Sequence, residues 1–374
     1  MAVRASLVAL NASGVSGVPR YTASLAREVD AMAPAFPGLE VTLLTTRHFA
    51  DTLSASNLDV RAIGPGRRAL PGPLRIAAEQ FAPIVAQSDV LHYFDVNAPL
   101  LHPRRRFVTT FHDASLVRTV ATNFPLLRRG YKRRLYPWSL PRASAIVAVS
   151  EFAKEEAVRH FGVDADRVVV IHSGPGLGST PAGARAESAG GSRRVFERPY
   201  LLFVGNLTAS KNVPFLVRAY QQADVPVDLV LAGRPLDDMD AIDRTLRATR
   251  APQRVHVVAE PTDADIARLY ADATAFVFPS LYEGFGFPPL EAMARGCPVL
   301  ASDIPSLREI AGDGALLLAL DEQVWAEAIR RVVSDPGLRD ELRERGRRNV
   351  DRYSWQQTAR EVCALLESVG SAGP

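Results

Sequence analysis

An α/β protein with two doubly wound parallel sheets is the fold class this sequence predicts, on three observations. Short β-branched or apolar runs alternate with helical segments along most of the 374 residues. The runs are continuously apolar rather than alternating, as expected of strands covered by helices on both faces. The alternation stops once, from Gly174 to Arg194, in a stretch rich in Gly, Ser, Pro and Ala, and then restarts. Such a composition reads as a linker between two halves. With 47% hydrophobic and 23% charged residues the chain should pack as a globular protein.

In the first half the strands expected are Ala5–Leu10, Val41–Thr45, Val60–Ile63, Val90–Phe94, Phe107–Phe111, Ile146–Val149 and Val168–Ile171. Helices are expected over Val18–Met32, Phe124–Leu140 and Glu151–Phe161, with Ser150 as the N-cap of the last. In the second half the strands are Tyr200–Val204, Leu229–Ala232, Val255–Ala259, Ala275–Phe278, Pro298–Ala301 and Ala315–Leu318, and Thr262 with Asp265 reads as a capping box. The domain reading is residues 1–175, a linker at 176–197, and residues 198–354. A last helix at about 355–370 follows, which the sequence alone assigns to neither half. Two doubly wound sheets joined by a flexible link predict a central cleft, with ligands beyond the carboxyl ends of the strands.

The residues to inspect are therefore those just after strands. Phe276-Val-Phe-Pro-Ser-Leu-Tyr runs from a strand into Glu283-Gly284-Phe285-Gly286-Phe287-Pro288-Pro289-Leu-Glu291. Proline is tolerated only in a helix's first turn, so the helix should begin near Phe287 or Pro288. Its first amides, from Gly284 to Phe287, then have no intrahelical partner and suit an anion, while Glu283 and Glu291 suit sugar hydroxyls. Gly205-Asn206 followed by Lys211 places a cation at the same edge, and Gly233-Arg234 places a second.

In the first half, Gly14 and Gly17 permit a tight turn, read equally as a plain β–α turn or a binding loop. The glycine spacing is wrong for a dinucleotide fingerprint. His112 follows the fifth strand and reads as a ligand for a sugar hydroxyl or as a structural histidine bonded to Asp113. His92, after the fourth strand, carries the same alternatives. No histidine spacing fits a zinc site, and Cys297 and Cys363 read as buried thiols in a reducing cytoplasm. From Arg104 to Arg134 nine basic residues face only Asp113. This run reads as a solvated face or as contact with an anionic membrane. A net charge of +3 is too small to argue for nucleic acid, and outside this run the chain is not basic, so no nucleic-acid partner is expected. No window is long and apolar enough to span a membrane, so a cytoplasmic protein is expected, with peripheral contact on the inner face of the membrane if the basic run binds lipid.

These motifs together resemble retaining family-4 glycosyltransferases of the GT-B fold. The likeness runs nearly end to end through Gly14-Val-Ser-Gly17-Val-Pro-Arg-Tyr, Phe111-His112-Asp113, Val149-Ser150-Glu-Phe, Phe203-Val-Gly205-Asn206-Leu-Thr-Ala-Ser-Lys211-Asn212, the Glu283 to Glu291 element and Gly296-Cys-Pro-Val-Leu-Ala-Ser. The combination is similar to the mannosyltransferase-like branch that builds bacterial surface polysaccharides. The resemblance implies a nucleotide diphosphate sugar held by the second domain, GDP-mannose first, and transfer to a glycan or lipid-linked acceptor with no cofactor and no metal. It assigns the diphosphate to Lys211 and to amides of Gly17 and Phe285 to Phe287, donor hydroxyls to Glu283, the ribose to Glu291, and the transferred sugar to His112. The last helix would return to the first domain.

The chain departs from the family at Ser210, where an arginine often precedes the lysine. Either Arg234 compensates or phosphate binding is weaker. Glucosyl-, N-acetylglucosaminyl- and rhamnosyltransferases of the same fold stay open. So do a nucleotide-linked dehydrogenase, disfavoured by the incomplete glycine fingerprint, and a sugar- or membrane-binding relative without turnover.

Overall fold

The structure, a computed structural model, describes residues 2–10, 17–53, 56–63, 77–81, 87–101, 104–115, 117, 126–176, 196–236 and 238–372, leaving aside the side chains of 126–129. Its described residues divide into two compact units. One is drawn from Met1–Val117, Pro125–Gly176 and Tyr353–Pro374, the other from Leu177–Arg352.

The first unit is built on a seven-stranded sheet in the order β3-β2-β1-β4-β5-β6-β7. Its strands are β1 (Val3–Ala9), β2 (Leu39–Thr45), β3 (Asp59–Ala62), β4 (Val90–Tyr93), β5 (Phe107–Phe111), β6 (Ala145–Ala148) and β7 (Val168–Val170). Every pairing is parallel. The order reverses between β1 and β4, where Ala5 to Val8 lie beside Val90 to Tyr93. The central strands β4, β5 and β6 are buried at every residue, so their sequence shows no period of two. The helix Glu151–Phe161 starts on Ser150, whose hydroxyl accepts from the Ala153 amide at 3.0 Å, and stops at left-handed Gly162.

The last helix, Trp355–Ser371, lies in this first unit and packs on β1 and on the helix Gly17–Met32. Trp355 donates its indole N–H to the Pro175 carbonyl at 2.7 Å, and Thr358 Oγ1 donates to the His172 carbonyl at 2.7 Å. At the far end Arg106 reaches the Val369 and Gly370 carbonyls at 3.3 Å. These bonds fasten both ends of a helix that local sequence left unassigned.

The second unit holds a six-stranded parallel sheet in the order β10-β9-β8-β11-β12-β13. The strands are β8 (Tyr200–Val204), β9 (Asp228–Gly233), β10 (Val255–Ala259), β11 (Ala275–Phe278), β12 (Val299–Ser302) and β13 (Ala315–Leu318). Here the order reverses between β8 and β11. Leu201, Phe203, Val230, Phe276 and Leu300 are fully buried along its centre, each contributing about 1.5–3 kcal/mol of burial. The capping box of Thr262 and Asp265 is present in full. Most of the expected linker, residues 177–195, lies outside the described residues, as do Gly14 and Arg118.

Candidate active site

The strand order of the second unit decides where its chemistry collects. Ligands in open α/β sheets bind beyond the carboxyl ends of the two strands that flank the reversal, here β8 and β11. Lys211 follows β8 and Glu283 follows β11. The two loops are tied together by main chain: the Leu281 amide donates to the Ser210 carbonyl at 2.8 Å. Lys211 closes a 3-10 turn, Ala209–Lys211, and left-handed Asn212 (φ +55°) separates it from the helix Val213–Ala223. Asn212 thus turns the chain between Lys211 and the helix.

Lys211 Nζ bonds to Glu283 Oε1 and lies 5.2 Å from the centre of the Phe278 ring. The pair is mostly buried, with 18% and 12% of the two side chains exposed. Ser280 Oγ donates to the same carboxylate oxygen at 2.6 Å. Ser280 was not among the residues picked out from sequence. Its position at the end of β11, three residues before Glu283, was the available signal.

The helix after Glu283 runs Phe287–Ala294, begun by prolines in its first turn as their chemistry requires. Gly286 precedes it at φ +104°, and a Cβ there would come within 2.6 Å of Leu307 Cδ2, so only glycine fits. Phe285 and Phe287 stack with tilted rings 5.0 Å apart. Glu291 is buried, and its Oε2 accepts from the Tyr270 hydroxyl at 3.3 Å. Asn206 sits in the β8 loop, where its carbonyl accepts from Thr208. The β8 and β9 loops approach so closely that a Cβ on Gly233 would lie 1.9 Å from the Gly205 carbonyl oxygen. Arg234, next to it, is exposed and pairs with Glu260 at 3.5 Å. Ser210 Oγ meets Thr208 Oγ1 at 3.0 Å.

The first unit places its candidates differently. Gly17 opens the helix Gly17–Met32. His112 stands after β5, partly exposed, with Nε2 2.8 Å from the Phe94 carbonyl and its ring edge-on to Tyr21 at 4.8 Å. A carbonyl only accepts, so Nε2 carries the proton and Nδ1 is the acceptor of the neutral ring. Burial lowers the His112 pKa, against the Asp95 and Asp113 carboxylates and the Phe94 carbonyl, which raise it. Asp113 accepts from the Ser115 amide at 2.8 Å. The hydrogen bond anticipated between His112 and Asp113 is thus made by the Phe94 carbonyl instead.

His92 needs a correction of place. It lies inside β4, fully buried, bonded through Nε2 to Thr110 Oγ1 at 3.0 Å, and burial pushes its pKa down to about 3. An imidazole held neutral within the sheet is a core residue.

The basic run needs a correction too. Lys132 is buried and bonds to Asp95 Oδ2 at 2.7 Å and to the Tyr136 hydroxyl at 3.3 Å. Arg105 donates to the Ser88 carbonyl and Arg106 fastens the last helix. The charges therefore serve several internal contacts, and Arg104, Arg133 and Arg134 remain exposed. Both cysteines are buried, with thiols pushed up to about 12 by burial. Among the described residues no helix is long and apolar enough to cross a membrane.

Comparison with known proteins fits this geometry. The model of glycosyl transferases group 1 matches residues 187–349, and that of glycosyltransferase family 4 matches residues 15–175. The O-antigen chain mannosyltransferase B of Escherichia coli is 31% identical over 270 residues, covering 71% of this chain and 71% of its own. The sucrose-phosphate synthase of Thermosynechococcus elongatus superposes with a TM-score of 0.74 at 22% identity, over 99% of this chain and all of its own. HepE of Anabaena, solved in complex with UDP-glucose, superposes at 0.70 with 18% identity, over 98% of this chain and all of its own. The two expected doubly wound sheets are thus those of the GT-B glycosyltransferase fold.

Proposed function

The chain belongs to the family-4 glycosyltransferases, and from that premise we propose that it is a retaining, metal-independent hexosyltransferase. It moves mannose from GDP-mannose to a glycan or a lipid-linked acceptor. The observation that carries the reading is the Lys211–Glu283 pair at the strand-order reversal of the second sheet. The 31% identity to a mannosyltransferase supports the choice of sugar.

In this reading Lys211 turns from Glu283 to the diphosphate, and the positive end of the helix Phe287–Ala294 adds to the field there. Glu283, released from the ammonium, accepts from hydroxyls of the donor sugar. Glu291, oriented by Tyr270, holds the ribose. Asn206 and Arg234 flank the donor, and Arg234 stands in for the arginine that Ser210 replaces. His112 offers Nδ1 to a hydroxyl of the transferred sugar.

The bond from the anomeric carbon to the phosphate oxygen breaks, giving an oxocarbenium-like species. The acceptor oxygen bonds to the same face, and its proton passes to the departing phosphate oxygen. A carboxylate nucleophile is not used, because Glu283 is committed to hydroxyls. The protein's contribution is electrostatic and positional. Lys211 supplies the charge that a divalent cation supplies elsewhere, so EDTA should leave turnover unchanged.

A thermal-shift panel of GDP-mannose, GDP, UDP-glucose, UDP and dTDP-rhamnose tests the reading. A ligand at a hundred times its Kd stabilises the folded chain by about 2.7 kcal/mol. The guanosine compounds should give the largest shift, and Lys211→Ala should abolish it. A larger shift with uridine compounds would move the donor to a UDP-hexose. Shifts retained in full by Lys211→Ala would overturn the site.

A further inference from the structure

Lys132 and Asp95 form a second ion pair, which the donor chemistry above does not use. Asp95 lies just after β4, at the strand-order reversal of the first sheet, one residue beyond the Phe94 carbonyl that takes the His112 proton. The turn is braced at each residue. Asp95 Oδ1 accepts from the Val96 amide at 2.8 Å, the Asp95 carbonyl accepts from Thr109 Oγ1 at 2.9 Å, and the Asn97 amide donates to Thr109 Oγ1 at 3.2 Å. Ser139 Oγ donates to the Asn97 carbonyl at 2.6 Å. All but one of these braces come from the turn itself or from β5. The helix Leu126–Ser139 contributes Lys132 and Tyr136, one turn apart, and both reach the Asp95 carboxylate.

The Lys132 ammonium is only 10% exposed. Without Lys132 the Asp95 carboxylate loses its ammonium partner and relaxes toward water, which loosens the turn against the helix Leu126–Ser139. The Phe94 carbonyl would then move away from His112 Nε2. A neutral imidazole that loses its acceptor can place its proton on either nitrogen.

We propose that Lys132 is a positioning residue for His112: through Asp95 it fixes the turn whose Phe94 carbonyl takes the Nε2 proton, and so keeps Nδ1 as the ring's acceptor. The proposal rests on the reading of His112 as a sugar contact only for its kinetic consequence. Its geometric consequence stands apart from that reading.

The test uses the full chain labelled with 15N and follows the ring nitrogens of the seven histidines, with His112 assigned by its loss in His112→Gln. In the unsubstituted chain His112 should be neutral with the proton on Nε2. In Lys132→Met the two tautomers should mix, and Lys132→Arg should restore the single form. Hydrolysis of GDP-mannose without acceptor supplies the second readout. Its kcat should fall at least about tenfold in Lys132→Met through misplacement of the ring, with KM within about twofold. The double variant His112→Gln/Lys132→Met should be no slower than His112→Gln alone, because the lysine acts through the histidine. Should Lys132→Met fail to fold, Lys132→Met/Asp95→Asn removes both charges and asks the same question. An unchanged His112 tautomer in either variant overturns the proposal, as does an equal slowing of the His112→Gln background. A chain that does not hydrolyse GDP-mannose would refute the donor, and the tautomer would still decide the role of Lys132.

Discussion

Two lysine–carboxylate pairs stand at corresponding places in the two units, and they are alike in almost every local measure. In each, the carboxylate follows a strand at the reversal of a parallel sheet, Glu283 after β11 and Asp95 after β4. Lys211 and Glu283 are 18% and 12% exposed, Lys132 and Asp95 10% and 23%. Each ammonium lies near an aromatic ring, Phe278 at 5.2 Å and Tyr136 at 5.5 Å. Each carboxylate has a hydroxyl neighbour, Ser280 or Tyr136. What separates them is the backbone that carries the lysine. Lys211 sits on a turn ended by left-handed Asn212, whereas Lys132 stands inside the helix Leu126–Ser139. We expect the pair on the turn to exchange its carboxylate for a phosphate and the pair on the helix to hold. On that expectation, backbone context separates a binding pair from a brace where burial and charge do not.

The sharpest way to break this comparison is Lys211→Ala. Removing one preorganised donor to a developing anion costs about 2.7–4 kcal/mol of transition-state stabilisation, a loss of roughly 10²–10³ in kcat. The stability cost should match that of Lys132→Met, about 1–3 kcal/mol for an orphaned carboxylate. Steady-state turnover and urea denaturation of both variants would show two lysines equal in stability and far apart in turnover. Turnover of Lys211→Ala within threefold of the unsubstituted chain would make both pairs braces.

Next in size is Gly286→Ala. A residue forced to φ +104° with its Cβ against Leu307 should lose about 1–3 kcal/mol. The chain must shift where Phe285 and Phe287 enter the helix, so nucleotide affinity should fall with stability. Full affinity in a calorimetric titration with GDP would remove this turn from the donor site.

Much of this was legible in the sequence, for local reasons. Prolines 288 and 289 fixed a helix start to within a residue, because proline lacks an N–H and sits best in a helix's first turn. Unbroken apolar runs gave the central strands of both sheets, which are buried at every residue. Lys211 was visible because a glycine turn ends the strand before it. Lys132 was not, because its partner Asp95 lies 37 residues upstream. A count of charges within the basic run found only Asp113 and read the lysine as surface. His92 falls inside its own expected strand, Val90–Phe94, and the buried strand Val90–Tyr93 bears that strand out, so its reading as a residue beyond the strand is at odds with the strand assignment itself. Ser280 and Tyr270 gave no pattern at all, since their partners come from the folded sheet.

Acid titration sharpens the comparison from the side of the brace. Burial raises the Asp95 pKa, but the Lys132 ammonium, His112 and hydrogen bonds from Lys132 and the Val96 amide outweigh it and hold the carboxyl at about 2. The unfolded chain has an ordinary aspartate near 3.9. A depressed folded value gives stability that is present above about pH 4 and lost as the pH falls through about 2. Asp95→Asn should therefore be less stable than the unsubstituted chain at pH 6, with the gap closing below pH 4. A gap of constant size from pH 6 to pH 2.5 in urea titrations would show that the charge of Asp95 is not what Lys132 holds.

The smallest effect expected is that of Tyr270→Phe, which concerns the carboxylate bonded to a neutral phenol. The Tyr270 hydroxyl lies 3.3 Å from both Glu291 Oε2 and the Pro288 carbonyl. It thus binds the first turn of the helix Phe287–Ala294 to the helix Asp263–Asp272. The bonds are long, and deleting them should cost about 1 kcal/mol of stability. Glu291 is the residue assigned to the ribose, so its release should weaken GDP more than inorganic diphosphate, which has no ribose to hold. Equal weakening of both ligands would show that Tyr270 supports the helix as a whole. A selective loss of GDP would add a third kind of carboxylate to the comparison, one aimed by a hydroxyl where the other two are held by an ammonium.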